Sequence, residues 1–228
     1  MENYQQNYIR DLLKVYFIMG SNNCELDPEY VLTEALKAGI TVFQFREKGQ
    51  GALTGPEKRA LAKKLKNKCN AYDVPFIVND DVELALEIAA DGIHIGQEDE
   101  KAEFVKKKIG NKILGVSAHS LEEVQSAIKA GADYVGIGPI YPTNTKKDTE
   151  PVRGTSLIKE MKVNNIKIPI VGIGGITTKN AREVIHAGAN GVAIISEISL
   201  ASSPYEKTKN LLHTVKDELR INENQKKQ

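Results

Sequence analysis

The chain has 228 residues, 41% hydrophobic and 27% charged, which is ordinary for a globular protein with a sizeable core. A formal net charge of +1 excludes a global field that would draw it to nucleic acid or an anionic membrane, so any anion binding must come from a few placed basic residues. The two cysteines, Cys24 and Cys69, lack metal-ligand spacing and read as unpaired thiols of a reducing cytoplasm.

The N-terminus, MENYQQNYIRDLL, has no apolar core of the kind a signal peptide needs, and its first dozen residues are expected to form an extra helix over one end of the domain. Short runs rich in Val and Ile then recur: 15–19, 41–45, 75–79, 92–96, 113–117, 133–138, 168–174 and 191–196. Each is apolar on both faces and flanked by Gly, Pro or Asp, as strands of a helix-covered parallel sheet are.

Amphipathic stretches at helical spacing lie between them. They run over 28–37, 57–69, 82–89, 102–109, 121–130, 156–161, 179–187 and 205–219. Three helix ends share one signature in KAGIT, KAGADYV and HAGANGV, where a glycine caps the helix and a strand follows at once. Eight βα units with short links predict an α/β fold, a single (β/α)8 TIM barrel over 1–222. A doubly wound open sheet is the alternative. Residues 223–228 are expected to be a polar, frayed tail.

Barrels of this class carry their chemistry at the C-terminal ends of the strands, so the residues following each apolar run are the candidates. The second run continues into Gln44, Phe45, Arg46, Glu47 and Lys48, with Gln44, Arg46 and Lys48 on one face if the strand is extended. The third ends at Asn79, Asp80 and Asp81, and the fourth leads through His94 to Asp99. Asp80 and Asp99, at adjacent strand ends, could be Mg²⁺ ligands, a general acid/base pair or helix caps; Asp81 fits the cap best.

Ser117 and His119 follow the fifth run. The sixth opens into a long loop with Thr143, Asn144, Thr145 and Lys146, which reads either as a lid over anionic substrates or as a polar surface loop. After the seventh and eighth runs, GIGGIT (with Gly175) and AIIS (with Ile195 and Ser196) can offer backbone N–H groups to a phosphate. Glycines serving tight turns alone are the other explanation. His94 and His119 have no partner evident from spacing, and His186 and His213 fall on helices as surface residues.

The set QFREK, VND, HIGQED, GVSAHS, GIGPIYPTNTKKD, VGIGGIT and AIIS, in this order and spacing over roughly residues 14–204, resembles the thiamine-phosphate synthase family. The resemblance implies a transferase of thiamine biosynthesis that joins an aminopyrimidine diphosphate to a thiazole phosphate, releasing diphosphate through a pyrimidine-cation step. It implies that Gln44, Phe45, Arg46, Glu47, Lys48 and Asn79 hold the pyrimidine diphosphate, with Ser117 and Lys146 as further diphosphate contacts. It makes Asp80 and Asp99 the ligands of Mg²⁺, and gives Thr143, Asn144, Thr145, Gly175, Ile195 and Ser196 to the substrate-binding rim. Arg46, Lys48, Ser117 and Lys146 are then the catalytic group.

A related thiazole tautomerase branch is expected to carry a histidine near Pro139, which this chain lacks. An inactive phosphate-binding regulator would be marked by loss of Asp80, Asp99 or Lys146, and all three are present. The expected partners are small-molecule substrates, with no nucleic acid and no membrane; a homo-oligomer is allowed, and the expected compartment is the cytoplasm.

Overall fold

The structure is a computed structural model, and it describes residues 2–143 and 151–225. Its strands are β1 (Val15–Met19), β2 (Val42–Phe45), β3 (Phe76–Asn79), β4 (Gly92–Ile95), β5 (Ile113–Ala118), β6 (Tyr134–Ile137), β7 (Ile170–Ile173) and β8 (Gly191–Ile194). They form a closed parallel barrel in sequence order, sealed where Val15 of β1 pairs with Val192 of β8. Closure removes the open-sheet alternative.

The helices are α1 (Glu2–Leu12), α2 (Pro28–Ala38), α3 (Gly55–Asn70), α4 (Val82–Glu87), α5 (Ala102–Ile109), α6 (Leu121–Lys129), α7 (Ser156–Val163), α8 (Ala181–Ala187), α9 (Ser196–Ser199) and α10 (Pro204–Gln225). Their ends follow local chemistry. Asp27 caps α2 by accepting from the Tyr30 N–H at 2.9 Å, Pro28 opens the first turn, and Gly39 at φ 96° closes the last. Gly131 and Gly188 close the two helices with the same sequence signature, at φ 84° and 123°.

Alternation along each strand sorts side chains into two cores. Phe17, Phe43, Phe45, Phe76, Val78, Ile93 and Ile95 face the helix layer, where they pack with Val31, Leu32, Leu65 and Val105. Tyr16, Ile18, Val42, Ile77, Tyr134, Val171 and Ala193 fill the barrel, together with Ile9 and Leu13. α1 therefore covers the N-terminal end of the barrel, as expected; its Gln5 reaches Asp133 and its Arg10 the Lys167 carbonyl, both at the starts of strands.

Two expectations are corrected. Of the 223–228 tail, residues 223–225 belong to α10, whose Asn222 donates to the Ile185 carbonyl at 2.9 Å and ties that end to α8, and 226–228 lie outside the described residues. The short helix α9 was not expected at all. Its four residues have no room for an amphipathic period, so only the turn out of β8 creates it. Among the described residues, no helix is long and apolar enough to cross a membrane.

Candidate active site

The barrel's C-terminal rim gathers most of the expected residues, and the geometry divides them by role. Lys48 Nζ lies 2.6 Å from Asp80 Oδ2, across the gap between β2 and β3. Asp80 adopts φ 62°, a left-handed conformation that Asp tolerates better than most residues. That kink turns its carboxyl inward, while Asp81 turns outward to cap α4 (Leu84 N–H, 2.9 Å) and pair with Lys58 (2.8 Å). The cap reading therefore holds for Asp81 and not for Asp80.

Asp99 returns from the β4 loop. Its Oδ2 accepts from the Gly96 N–H at 2.7 Å, and its carboxyl meets that of Asp80 within hydrogen-bonding reach. Electrostatics separates the pair. Burial pushes Asp80 up despite the Lys48 hydrogen bond, and the neighbouring Asp99 adds to that. Burial also opposes ionisation of Asp99, but hydrogen bonds from Asp80 and the Gly96 N–H, helped by the charge of Lys48, bring it below the ordinary carboxylate range. Lys48 is pushed up, chiefly by its bond to Asp80, and so stays cationic. Two carboxyls crowded beside a lysinium suit a hard cation that takes one or two protein carboxylates and completes its shell with water and phosphate oxygens. Among the described residues, no group of three or more His, Cys, Asp or Glu converges on an ion, so the chain offers this pair.

Two members of the QFREK run do something other than expected. The Phe45 ring faces the helices and stacks on Phe76 at 6.1 Å between centroids, so its side chain packs away from the mouth. Glu47 is 8% exposed, and its carboxylate accepts from the Ser21 N–H (2.8 Å), the Ser21 hydroxyl (2.6 Å) and the Leu53 N–H (2.7 Å). It clamps the β1 and β2 loops together. Gln44, by contrast, points into the barrel, where Nε2 donates to the Tyr16 hydroxyl at 2.8 Å. Asn79 ends β3 beside His94, its partner in register, and Arg46 leaves β2 with its N–H on the Met19 carbonyl.

On the opposite side of the mouth, the turn after β7 lies against the start of the β6 loop. The Ile140 and Tyr141 N–H groups donate to the Ile173 and Gly174 carbonyls at 2.9 and 3.0 Å. Gly175 sits at φ 60°, and a Cβ there would collide with the Pro142 carbonyl and Tyr141. Close backbone packing is thus reason enough for this glycine. Thr178, through N–H and hydroxyl, donates to Glu197 of α9, which draws the β7 turn beside Ile195 and Ser196 at the start of that helix. Thr143 follows this packed segment in the β6 loop, and Asn144, Thr145 and Lys146 lie outside the described residues.

Sequence reasoning missed a buried polar chain beneath this rim. Tyr16, Tyr134, His94 and Ser117 connect by hydrogen bonds of 2.7, 3.0 and 3.0 Å. A signal was available: each occupies a barrel-facing phase of an otherwise apolar strand, as Gln44 does. His119, which had no evident partner, meets Glu123 at 3.1 Å, an i,i+4 pair that spacing could have disclosed.

Fold and rim together define a (β/α)8-barrel protein with its polar machinery at the strand C-termini, a carboxylate–lysine cluster on one side and two backbone turns on the other. The family model described as thiamine monophosphate synthase matches residues 15–198, and the chain belongs to that family. A thiamine-phosphate synthase of Bacillus cereus (strain 03BB102) is 58% identical over 215 residues, covering 94% of this chain and 98% of that one. One from Bacillus thuringiensis (strain Al Hakam) is 61% identical, covering 90% and 93%. Among solved structures, thiamine phosphate pyrophosphorylase from Pyrococcus furiosus superposes with a TM-score of 0.82 at 36% identity, covering 92% of this chain and 99% of that one.

Proposed function

We propose that this protein is a thiamine-phosphate synthase, a transferase that condenses an aminopyrimidine diphosphate with a thiazole phosphate to give thiamine phosphate and diphosphate. The observation that carries the reading is the Lys48–Asp80–Asp99 cluster at the mouth of a barrel whose sequence is about 60% identical to named synthases over most of its length. The tautomerase reading is not favoured, since Pro139 stands where that branch is expected to carry its histidine.

In this reading Asp80 and Asp99 hold Mg²⁺, which would neutralise charge on the departing diphosphate. Arg46, Lys48 and Lys146 supply fixed positive charge to the same leaving group, and Ser117 adds a hydroxyl. Asn79 and Gln44 orient the pyrimidine so that its ring amino group can stabilise the cation left when the C–O bond breaks. The thiazole nitrogen then attacks that carbon. Gly175, Ile195 and Ser196 hold the thiazole phosphate, and Thr143, Asn144 and Thr145 belong to the loop that closes over both substrates and keeps water from the cation. Phe45 and Glu47 take no direct part. The cytoplasm is the compartment that suits two free thiols, Cys24 and Cys69.

The test is direct. Purified protein given both substrates should form thiamine phosphate and release diphosphate with Mg²⁺, and stop in excess EDTA. Undiminished turnover with the chelator would remove the metal from the reading, and no product with Mg²⁺ would remove the activity.

A further inference from the structure

The polar chain inside the barrel joins two residues, Gln44 and Ser117, that the proposed function gives to the substrate. Its members come from five strands: Gln44 on β2, Tyr16 on β1, Tyr134 on β6, His94 on β4 and Ser117 on β5. Gln44, Tyr16 and Tyr134 are 2%, 1% and 2% exposed, so water does not stand in for a missing partner. Their proton inventory sets a direction. Gln44 Nε2 donates to the Tyr16 hydroxyl. Tyr16 accepts there, and of the two hydroxyls 2.7 Å apart either could donate; only donation from Tyr16 to Tyr134 gives the buried Tyr16 proton an acceptor among these bonds. Tyr134 in turn spends its proton on His94 Nδ1 at 3.0 Å. That leaves the imidazole proton on Nε2, which faces the Ser117 hydroxyl at 3.0 Å. Ser117 accepts from His94, and its own O–H is left for the rim.

Burial pushes both tyrosines up, so the protons stay on the hydroxyls. The packing is built around the chain. Gly115 pairs in register with both His94 and Tyr134, and a Cβ there would collide with the Tyr134 ring and hydroxyl. His94 and Tyr134 stack with centroids 5.5 Å apart, which fixes the imidazole plane.

We propose that Tyr16, Tyr134 and His94 are positioning residues that form a one-way hydrogen-bond relay, setting the Gln44 amide and the Ser117 hydroxyl together. The proposal rests on the function given above for the chemistry at its two ends. At one end, Gln44 keeps its carbonyl oxygen for the amino group of a pyrimidine and a second amide hydrogen for a ring nitrogen. At the other, Ser117 presents a donor, as diphosphate oxygens require. The opposite polarity would turn the Gln44 carbonyl to Tyr16, use the Ser117 proton on His94 and leave a serine lone pair facing an anion. Because each hydroxyl has one proton to give, the two ends cannot be set independently.

Full-length protein labelled with ¹⁵N-histidine tests the direction without substrate. Replacing the other three histidines (His119→Gln, His186→Gln, His213→Gln) isolates the His94 signals. The relay requires a bare Nδ1 and a protonated Nε2; a proton on Nδ1 overturns it. The kinetic arm uses Tyr134→Phe, with Tyr16→Phe as the second variant should the first not fold. Each should lower kcat/KM for the pyrimidine diphosphate about five- to tenfold while leaving KM for the thiazole phosphate unchanged. Adding Ser117→Ala to either should cost less than the sum of the two single losses, since part of each loss passes through the same hydroxyl. Fully additive costs would refute the coupling. A wild-type protein that makes no thiamine phosphate would refute the functional reading instead, and the histidine spectra would still decide the relay.

Discussion

Replacing Glu47 by alanine separates its two roles, substrate contact or loop clamp. The carboxylate accepts three hydrogen bonds, at 2.8 and 2.6 Å from Ser21 and 2.7 Å from Leu53, and two of the donors are backbone N–H groups that remain after the change. Hydrogen bonds to a charged group contribute about 1.5–3 kcal/mol each, and water entering the vacated space recovers part of that, so a net loss of about 3 kcal/mol is expected. For a chain of this size, about 2–4 °C of Tm accompanies each kcal/mol, which gives a fall of about 6–12 °C. Differential scanning calorimetry measures this, and steady-state kinetics below the transition measures KM for each substrate. Glu47→Ala should melt early, with KM for the pyrimidine diphosphate within about threefold of wild type. An unchanged Tm with that KM raised tenfold or more would return Glu47 to the ligand and refute the clamp.

Other changes test the rest of the rim. Asp99→Asn should lower kcat by about 10²–10³ and raise the Mg²⁺ concentration needed for half-maximal rate; wild-type metal titration in this variant would remove Asp99 from the ion. Ser196→Ala should mainly raise KM for the thiazole phosphate, and a loss confined to kcat would contradict that placement. Gly115→Ala forces a methyl into the Tyr134 ring, so a loss of about 1–3 kcal/mol in chemical denaturation is expected. Stability equal to wild type there would mean that the tyrosine has somewhere else to go.

Local chemistry is legible along the chain because its causes are local. Runs apolar on both faces mark all eight strands to within a few residues, and the Ala-Gly signature marks helix ends that turn out to carry left-handed glycines. The order of polar residues after each strand was enough to place Asp80, Asp99, Lys48 and Ser117 on one rim, since strand direction in a parallel barrel sends every C-terminus to the same side. Partnership across the barrel was not legible. Tyr16 and Tyr134 are 118 residues apart and His94 lies 40 from Tyr134; their contacts depend on barrel register, which no short window of sequence encodes.

The same limit explains the two reassigned residues of QFREK. A motif shows which residues stand together in the chain, whereas the pleat decides which of them share a space. Phe45 and Gln44 are neighbours, yet one packs under the helices and the other enters the barrel. Glu47 sits between two cations in sequence, but the loop from β1 arrives with an N–H and a hydroxyl that claim its carboxylate first. The two aspartates after β3 show the balance between the two levels. Sequence already favoured Asp81 as the cap, and the left-handed backbone at Asp80 shows how the two neighbours part, one carboxyl going to the mouth and the other capping a helix.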